Sequence, residues 1–162
     1  MRLEVGVGFS KRVKPKCKEY VFSPKIHGKD VIFLDVGKPL KSIKNYIRAD
    51  AQYLPFRKGV SQEIYASHLI EHLDNSALFL SECHRVLSSG GKIHIWCPNF
   101  LSPNAWADPT HKNSFSYHSL HQLLKNKGFA PSVHGHGIFL GGIFNKLSAI
   151  LSAELEALGT KL

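Results

Sequence analysis

The sequence of 162 residues predicts a single α/β domain built on a doubly wound, mainly parallel sheet. Continuous apolar runs such as Val31-Ile32-Phe33-Leu34 are typical of parallel strands that are covered on both faces. Between some of these runs apolar residues recur at intervals of three and four, which is the pattern of crossover helices. The composition, 43% hydrophobic and 20% charged, is that of an ordinary globular domain.

The first hundred residues predict five strands and one helix. Apolar runs place the strands at residues 3–7, 31–34, 46–49, 63–66 and 92–97, and helical spacing places a helix at about 75–87, ended by Gly90 and Gly91. Residues 9–30 contain Pro15 and Pro24 and lack helical spacing, so we expect them to be irregular.

The second part of the sequence predicts a polar loop, two helices and one further strand. The loop covers residues 99–115, and a helix capped by Ser116 or Ser119 then continues to Gly128. A strand is expected within 130–140. Residues 143–158 carry apolar residues at helical spacing, including Leu155 and Leu158. We therefore expect a domain over residues 1–142 and a C-terminal amphipathic helix within 143–162, either packed on the domain or paired with its copy in a homodimer.

The positive charge is concentrated in one segment. The formal net charge is +9, and residues 11–29 contain seven Lys and Arg residues against one Glu. Such a run attracts phosphates and nucleic acid by counterion release. It is equally the composition of a solvated loop, so a nucleic acid partner at Lys11 to Lys29 remains one of two interpretations.

Other features of the sequence favour a cytoplasmic protein that does not contact a membrane. No apolar run approaches the ~20 residues of a membrane-spanning helix. Met1 is not followed by the apolar core of a secretion signal. The three cysteines show no C-x-x-C spacing, which predicts ordinary thiols.

Glycines and carboxylates follow the predicted strands, where ligands of parallel sheets bind. The first strand ends in Glu4-Val5-Gly6-Val7-Gly8, whose glycines allow a ligand close to the backbone. Asp35, after the second strand, could accept the hydroxyl hydrogens of a ribose. Asp50, after the third strand, could accept from an exocyclic amine. The alternative is that both aspartates only begin turns.

Five stretches resemble the class I S-adenosylmethionine-dependent methyltransferases, in particular the small type-11 family. They are RADAQYLPF, EIYASHLIEHL, FLSECHRVLSSGGKIHIWCPNF, DPTHKNSF and SLHQLLKNKGF. The resemblance covers residues 46–129, and more loosely residues 2–8 and 31–37. It implies a Rossmann-like methyltransferase fold, S-adenosyl-L-methionine as cofactor and methyl transfer as activity.

The resemblance also implies a set of cofactor contacts. The methionine end would lie at Glu4, Gly6 and Gly8, the ribose at Asp35 and Val36, the adenine at Asp50, Ala51 and Gln52, and the sulfonium at Ser67 and His68. Two features depart from the family. Phe9-Ser10 and the basic segment stand where the family has a third glycine and a full helix. One strand candidate precedes the terminal helix, so a shortened C-terminal hairpin is one expectation.

Two histidine motifs need separate treatment. His68-Leu69-Ile70-Glu71-His72 has the H-x-x-E-H spelling of a zinc protease. That motif needs a third, acidic ligand on a downstream helix, so no metal is expected here. His111 lies in the loop after the fifth strand, which would overhang the cofactor pocket. We expect it to act as a general base, with a purely structural role in the loop as the alternative.

The favoured function is S-adenosylmethionine-dependent methyl transfer to a small-molecule or glycan-like acceptor, because only a short lid follows Asn99. Trp96 and Trp106 could form a wall for that acceptor, or could simply pack. The basic segment motivates an RNA or protein methyltransferase as the alternative. The altered first loop motivates a non-catalytic cofactor-binding or interaction module.

Overall fold

The computed structural model describes residues 1–14, 17–22, 24–39, 42–136 and 152–162. Within these residues the chain forms nine strands, three α-helices and one 3₁₀ turn. In chain order they are β1 (Arg2–Val5), β2 (Gly8–Lys14), β3 (Cys17–Phe22), β4 (Val31–Asp35), β5 (Tyr46–Arg48), β6 (Ser61–Ser67), the 3₁₀ turn (Ile70–His72), α1 (Ser76–Val86), β7 (Leu87–Pro98), α2 (Asn104–Ala107), α3 (Tyr117–Asn126), β8 (Phe129–His136) and β9 (Glu154–Lys161).

Seven strands form one sheet in the order β5-β4-β1-β6-β7-β9-β8. The pairs from β5 to β7 are parallel, and β9 runs antiparallel to both β7 and β8. From β1 the chain adds β4 on one side and β6 on the other, so the strand order reverses at β1. The predicted doubly wound, mainly parallel α/β class is confirmed, and the reversal point is where such sheets bind ligands.

The main core lies between the sheet and the two longer helices. Alternate residues of β7, namely Ile93, Ile95 and Cys97, are fully buried, as the period of two in a strand requires. They belong to the same cluster as Phe79 of α1 and Leu120 of α3. Continuous apolar packing against α1 and α3 therefore stabilises the strands that carry the site.

Both longer helices begin at side-chain caps. The Asn75 carboxamide accepts the backbone N–H of Leu78 at 2.9 Å and caps α1. At α3 both predicted candidates take part, because Ser116 and Ser119 accept reciprocally from each other's backbone N–H in a capping box. Among the described residues no helix is long and apolar enough to cross a membrane.

The sequence predicted an irregular segment after β1, but residues 8–14 and 17–22 form two antiparallel strands. β2 pairs with β3 from Gly8 opposite Phe22 to Lys14 opposite Cys17. The prediction was wrong because the absence of helical spacing excludes a helix but not a strand. A strand requires only residues that suit an extended chain. The segment has several of these, including Val13, Tyr20 and Val21.

The C-terminal residues correct a second prediction. Residues 154–161 form strand β9 rather than the end of an amphipathic helix, so the sheet has its seventh strand and the C-terminal hairpin is complete. Leu155, Ala157 and Gly159 are the inward residues, with the period of a strand. Gly159 has little space for a side chain, since a Cβ there would lie 3.0 Å from Ile93. Residues 137–151, with the rest of the predicted helix and the end of the predicted strand, lie outside the described residues.

Candidate functional site

A hollow of about 250 Å³ lies at the carboxyl ends of β1 and β6, where the strand order reverses. A second hollow of about 250 Å³ adjoins it and shares Lys25, Ser67 and His68. Five predicted cofactor residues line the first hollow, together with Val7 and Lys25: Glu4, Gly6, Gly8, Ser67 and His68. The second hollow is completed by Ile26, Tyr65, Trp96 and Glu154.

Gly6 forms the floor of the first hollow in a conformation that only glycine adopts readily. Its φ is +77°, and its N–H donates to the Leu34 carbonyl at 2.8 Å. A Cβ at this position would lie 3.0 Å from the Leu69 side chain. Gly6 lines the hollow without a side chain, which leaves its backbone accessible to a ligand.

Glu4 fixes the rim of the first hollow. Its side chain is only 2% exposed and accepts the backbone N–H of Lys25 at 2.5 Å and that of Ile26 at 3.0 Å. Burial raises the pKa of Glu4, while the two amide hydrogen bonds oppose this rise. Glu4 thus holds the segment after β3 across the ends of the strands. Sequence reasoning missed Lys25 and Ile26 because that segment was expected to be irregular.

Asp35 and Asp50 lie at the same edge of the sheet, as predicted, because β4 and β5 pair in parallel with Asp35 opposite Arg48. Asp35 accepts the N–H of Gly8 at 3.1 Å and that of Gly37 at 2.8 Å. Asp50 accepts the N–H of Gln52 at 2.8 Å. The turn-forming role that the sequence left open is therefore present in both. Neither aspartate lines the two hollows, although each carboxylate retains lone pairs for a ligand.

The three remaining predicted cofactor residues occupy the same edge. Val36 follows Asp35 and is 63% exposed, and Ala51 is buried beneath the turn. The Gln52 side chain accepts the N–H of Asn75 at 2.8 Å, which connects this turn to the cap of α1.

The loop at Leu54 to Phe56 is clamped by an ion pair on α1. Arg85 donates to the carbonyls of Leu54 at 2.9 Å and Phe56 at 2.7 Å, and Glu82 accepts the N–H of Leu54 at 2.9 Å. Arg85 also lies 2.7 Å from Glu82 and lowers the pKa of that carboxyl. The clamp fixes the loop that would cover a flat ring next to Asp50.

His68 directly follows β6 and has a left-handed conformation, with φ at +50°. Its Nδ1 lies 3.3 Å from Glu71 Oε1, and its Nε2 lies 3.7 Å from Glu154 Oε1. The Glu71 carboxylate raises the pKa of His68. The H-x-x-E-H spelling of a zinc protease motif requires His68 and His72 on one face of a helix. Here the helical segment begins only at Ile70 and extends for a single 3₁₀ turn, so His68 lies outside it.

His111 does not line either hollow. Its Nδ1 lies 3.0 Å from the Ala105 carbonyl, and its ring packs edge-on against His72 with 4.7 Å between centroids. One ligand atom from each of Glu71, His72 and His111 lies within 4.8 Å of the other two. The loop after β7 therefore brings His111 close to Glu71 and His72.

The two tryptophans are separated. Trp96 lines the second hollow and belongs to a row of stacked rings with Tyr65 and His94. Trp106 is 62% exposed, and its Nε1 donates to the Phe100 carbonyl at 2.9 Å. Only Trp96 is therefore placed to form a wall of the site.

Comparisons with known proteins agree with this geometry. The family described as a methyltransferase domain, of type 11, matches residues 3–95, which include β1, the reversal point and most of β7. The chain belongs to this methyltransferase family. S-adenosylmethionine is the cofactor of such enzymes, and the resemblance noted in the sequence is confirmed.

A probable S-adenosylmethionine-dependent methyltransferase of Mycolicibacterium smegmatis is 29% identical over 125 residues, which covers 68% of this chain. The chain spans about half of that relative, 48% of its length. Among solved structures, a methyltransferase of this cofactor class from Archaeoglobus fulgidus has a TM-score of 0.68 at 21% identity, over 99% of this chain and 85% of the other. One from Mesorhizobium loti has a TM-score of 0.65 at 15% identity, over 99% and 90%. These structures share the fold.

The residues of this methyltransferase domain fit its cofactor. A Cβ at Gly6 would crowd Leu69, so the bare backbone is built into the turn. Glu4, Gly8 and Ser67 surround this backbone at the reversal point of the sheet. We call the edge of the sheet that carries Asp35 and Asp50 the carboxylate edge. The first hollow allows a ligand close to the backbone, and the carboxylate edge supplies hydrogen-bond acceptors.

Proposed function

We propose that the chain catalyses S-adenosylmethionine-dependent methyl transfer to a small-molecule or glycan-like acceptor. The observation that carries this proposal is the hollow at the β1/β6 reversal point, with Gly6 as its floor. Membership of the methyltransferase family supports the same reaction.

The first hollow and the carboxylate edge divide the binding of the cofactor between them in this proposal. Gly6 and Gly8 allow the methionine end close to the backbone, and Ser67 and His68 bound the region of the sulfonium. Asp35 offers carboxylate lone pairs to the ribose and Asp50 offers them to the adenine, while each keeps its turn. When bound, S-adenosylmethionine supplies an electrophilic methyl group.

The second hollow is the proposed acceptor site. Its volume of about 250 Å³ suits a small molecule, and the Tyr65 and Trp96 rings give a flat apolar wall of the kind on which sugar rings pack. His68 borders both hollows. An acceptor here would therefore lie directly beside the sulfonium region, as an in-line displacement requires.

Methyl transfer to a hydroxyl or amine forms one bond to carbon, breaks one carbon–sulfur bond and releases one proton. His111 is the proton acceptor predicted from the sequence, and because it lines neither hollow the proton would reach it through an intervening group. Its Nδ1 faces a carbonyl and must carry the hydrogen, so Nε2 keeps a free lone pair. If His111 accepts the proton, His111→Ala should lower turnover by about 100-fold or more while cofactor affinity is kept. Unchanged turnover would remove His111 from the reaction.

Calorimetry with S-adenosylmethionine, followed by transfer of a tritiated methyl group to fractionated cell extract, tests the proposed function. We expect saturable cofactor binding and label in the small-molecule fraction. Absence of cofactor binding would overturn the proposal. Binding without any labelled product would favour the non-catalytic module.

A methyltransferase of RNA or protein is the second candidate, favoured by the basic segment that ends beside the site. Lys25, part of that segment, lines both hollows. If RNA is the acceptor, label should enter the RNA fraction, and retention on RNA should fall steeply between 50 and 200 mM salt on the order expected for several phosphate contacts. Label confined to small molecules would exclude this candidate.

A further inference from the structure

We propose that Glu71, His72 and His111 form a binding site for a divalent first-row transition-metal ion. One ligand atom of each residue lies within 4.8 Å of the other two. A carboxylate and two imidazoles form a donor set that suits ions such as Zn²⁺, Fe²⁺ and Mn²⁺. The three residues line neither hollow, and His68, which lines both, contacts Glu71.

Glu71 is the first independent indication of a missing cation. The residue is 1% exposed, and neither carboxylate oxygen has a hydrogen-bond partner among the described residues. Its nearest cationic group is His68, at 3.3 Å from Oε1. The ion pair with His68 offsets part of the desolvation cost of this buried carboxylate, but Oε2 has no partner among the described residues, so a coordinated metal ion would supply compensation that these side chains do not.

The hydrogen bonds of His72 leave its other ring nitrogen free to bind a metal. Nδ1 lies 3.3 Å from the Thr110 carbonyl and 3.1 Å from Thr110 Oγ1. The Thr110 hydroxyl already donates its single hydrogen to Asp108 at 2.7 Å, so it can only accept from His72. Both neighbours of Nδ1 are therefore acceptors. Nδ1 must carry the hydrogen, and Nε2 has an unprotonated lone pair.

A separate contact also places the ring hydrogen of His111 on Nδ1. Its Nδ1 lies 3.0 Å from the Ala105 carbonyl, which can only accept. The hydrogen is therefore on Nδ1, and the Nε2 lone pair is free. Histidines that bind metals nearly always donate their second N–H to a carbonyl or carboxylate in this way, which orients the ring and strengthens the ligand.

The loop that carries His111 is anchored on the segment that carries Glu71. The backbone N–H groups of Lys112 and Asn113 donate to the Glu71 carbonyl at 2.8 and 3.0 Å. The Asn113 side chain donates to the Leu73 carbonyl at 2.6 Å. Ligands at ~2.1 Å from one ion are about 3.4 Å apart, so side-chain movements of roughly 1 Å would close the site.

Metal binding would change the role assigned to His111. A lone pair that binds a metal cannot accept a proton, so the two roles of Nε2 exclude each other. This consequence for methyl transfer rests on the proposed function, whereas metal binding itself does not.

Titration of the metal-free protein with Co²⁺, read by visible absorption and by competition with Zn²⁺, tests the site. We expect one bound ion per chain and a rise in melting temperature with Zn²⁺. Glu71→Gln, His72→Ala and His111→Ala should each weaken binding by at least about 10-fold. His134→Ala, at an exposed histidine on β8, is the matched control and should leave binding unchanged.

Three results would overturn the metal site: no stoichiometric binding, equal loss in His134→Ala, or binding that survives all three ligand substitutions. Glu71→Gln changes a single atom, and circular dichroism would verify that each variant is folded. Calorimetry with S-adenosylmethionine on the metal-free protein is run in parallel. Cofactor binding without metal binding would refute only the metal site, and metal binding without cofactor binding would refute only the proposed function.

Discussion

At the scale of single residues, Gly6 offers a controlled test of the cofactor turn. Gly6→Ala places a Cβ at a φ of +77° and against Leu69, so we expect a loss of about 1–2 kcal/mol in unfolding free energy and weaker S-adenosylmethionine binding. Gly90→Ala is the matched control, because its φ is +69° and no atom lies within 4 Å of the added Cβ. It should share the backbone strain but not the binding defect. Urea denaturation and calorimetry measure the two effects, and equal cofactor affinity in both variants would contradict the assignment.

Glu71 supports a second prediction at this scale, on stability without metal. Glu71→Gln replaces a buried carboxylate, which has no hydrogen-bond partner among the described residues and is ion-paired with His68, with a neutral group of the same size. We expect the metal-free variant to be at least as stable as the metal-free parent, because the desolvation cost that is removed outweighs the lost ion pair with the partly exposed His68. Thermal unfolding in the presence of a chelator measures this. A loss of more than about 2 kcal/mol would show that Glu71 stabilises the fold itself.

The sequence predicted the individual residues of the site better than their contacts. Glu4 lies in β1 and Gly6 and Gly8 follow it, so local pattern and family resemblance were enough to predict their place at the hollow. His72 and His111 meet only because the loop after β7 folds back onto the end of β6. The H-x-x-E-H motif was set aside because it lacked an acidic third ligand on a helix. The structure brings His111, a loop histidine, close to Glu71 and His72. No local sequence pattern predicts such a contact.

At the scale of elements, the clamp from α1 to the loop at Leu54 can be tested by a pair of variants. Arg85→Ala removes hydrogen bonds to two carbonyls, and we expect a cost of about 1 kcal/mol together with weaker cofactor binding. Arg57→Ala, at an exposed arginine after the same loop, should be near neutral. Urea denaturation and calorimetry provide the comparison. A clamp that does not position the loop would leave cofactor affinity unchanged in both.

The same clamp predicts a dependence on acid. Arg85 lowers the pKa of Glu82 below its ordinary value of 4.5, so the folded state binds this proton less readily than the unfolded chain. The contribution of the pair is therefore complete above about pH 4.5 and is lost as the pH falls further. Stability measured from pH 6 to 3 should fall less steeply in Glu82→Gln than in the parent. Parallel acid limbs would contradict the coupling.

Elements were predictable where one period dominated the sequence. β4 and α1 each show a single hydrophobic pattern, and both were found. In β9, Leu155 and Leu158 fit helical spacing, whereas Leu155, Ala157 and Gly159 fit a strand. Ala and Gly contribute little to a hydrophobic pattern, so the larger Leu155 and Leu158 made the sequence predict a helix. Tertiary packing decides the case, because Ala157 and Gly159 leave room for β7 and for Phe129 of β8.

At the scale of the whole molecule, β9 changes what the C-terminal residues do. The fold class followed from the alternation of strands and helices, but the position of β9 inside the sheet did not, because it depends on long-range pairing. β9 lies between β7 and β8 and pairs with both along its length. β9 is therefore an interior strand of the sheet, next to the edge strand β8.

Hydrogen exchange measures this placement directly. We expect the amides of Leu155 to Thr160 to exchange as slowly as those of Ile93 to Cys97 in β7, because both strands are paired on two sides. The amides of edge strand β5 provide the internal control and should exchange faster, since β5 pairs on one side only. Fast exchange throughout residues 154–161 would mean that the seventh strand is not stably part of the sheet. Removal of residues 152–162 gives a second measurement. If β9 is stably paired, this truncation exposes the edges of β7 and β8 and unfolds the domain. If β9 is not stably paired, the truncation leaves the stability unchanged.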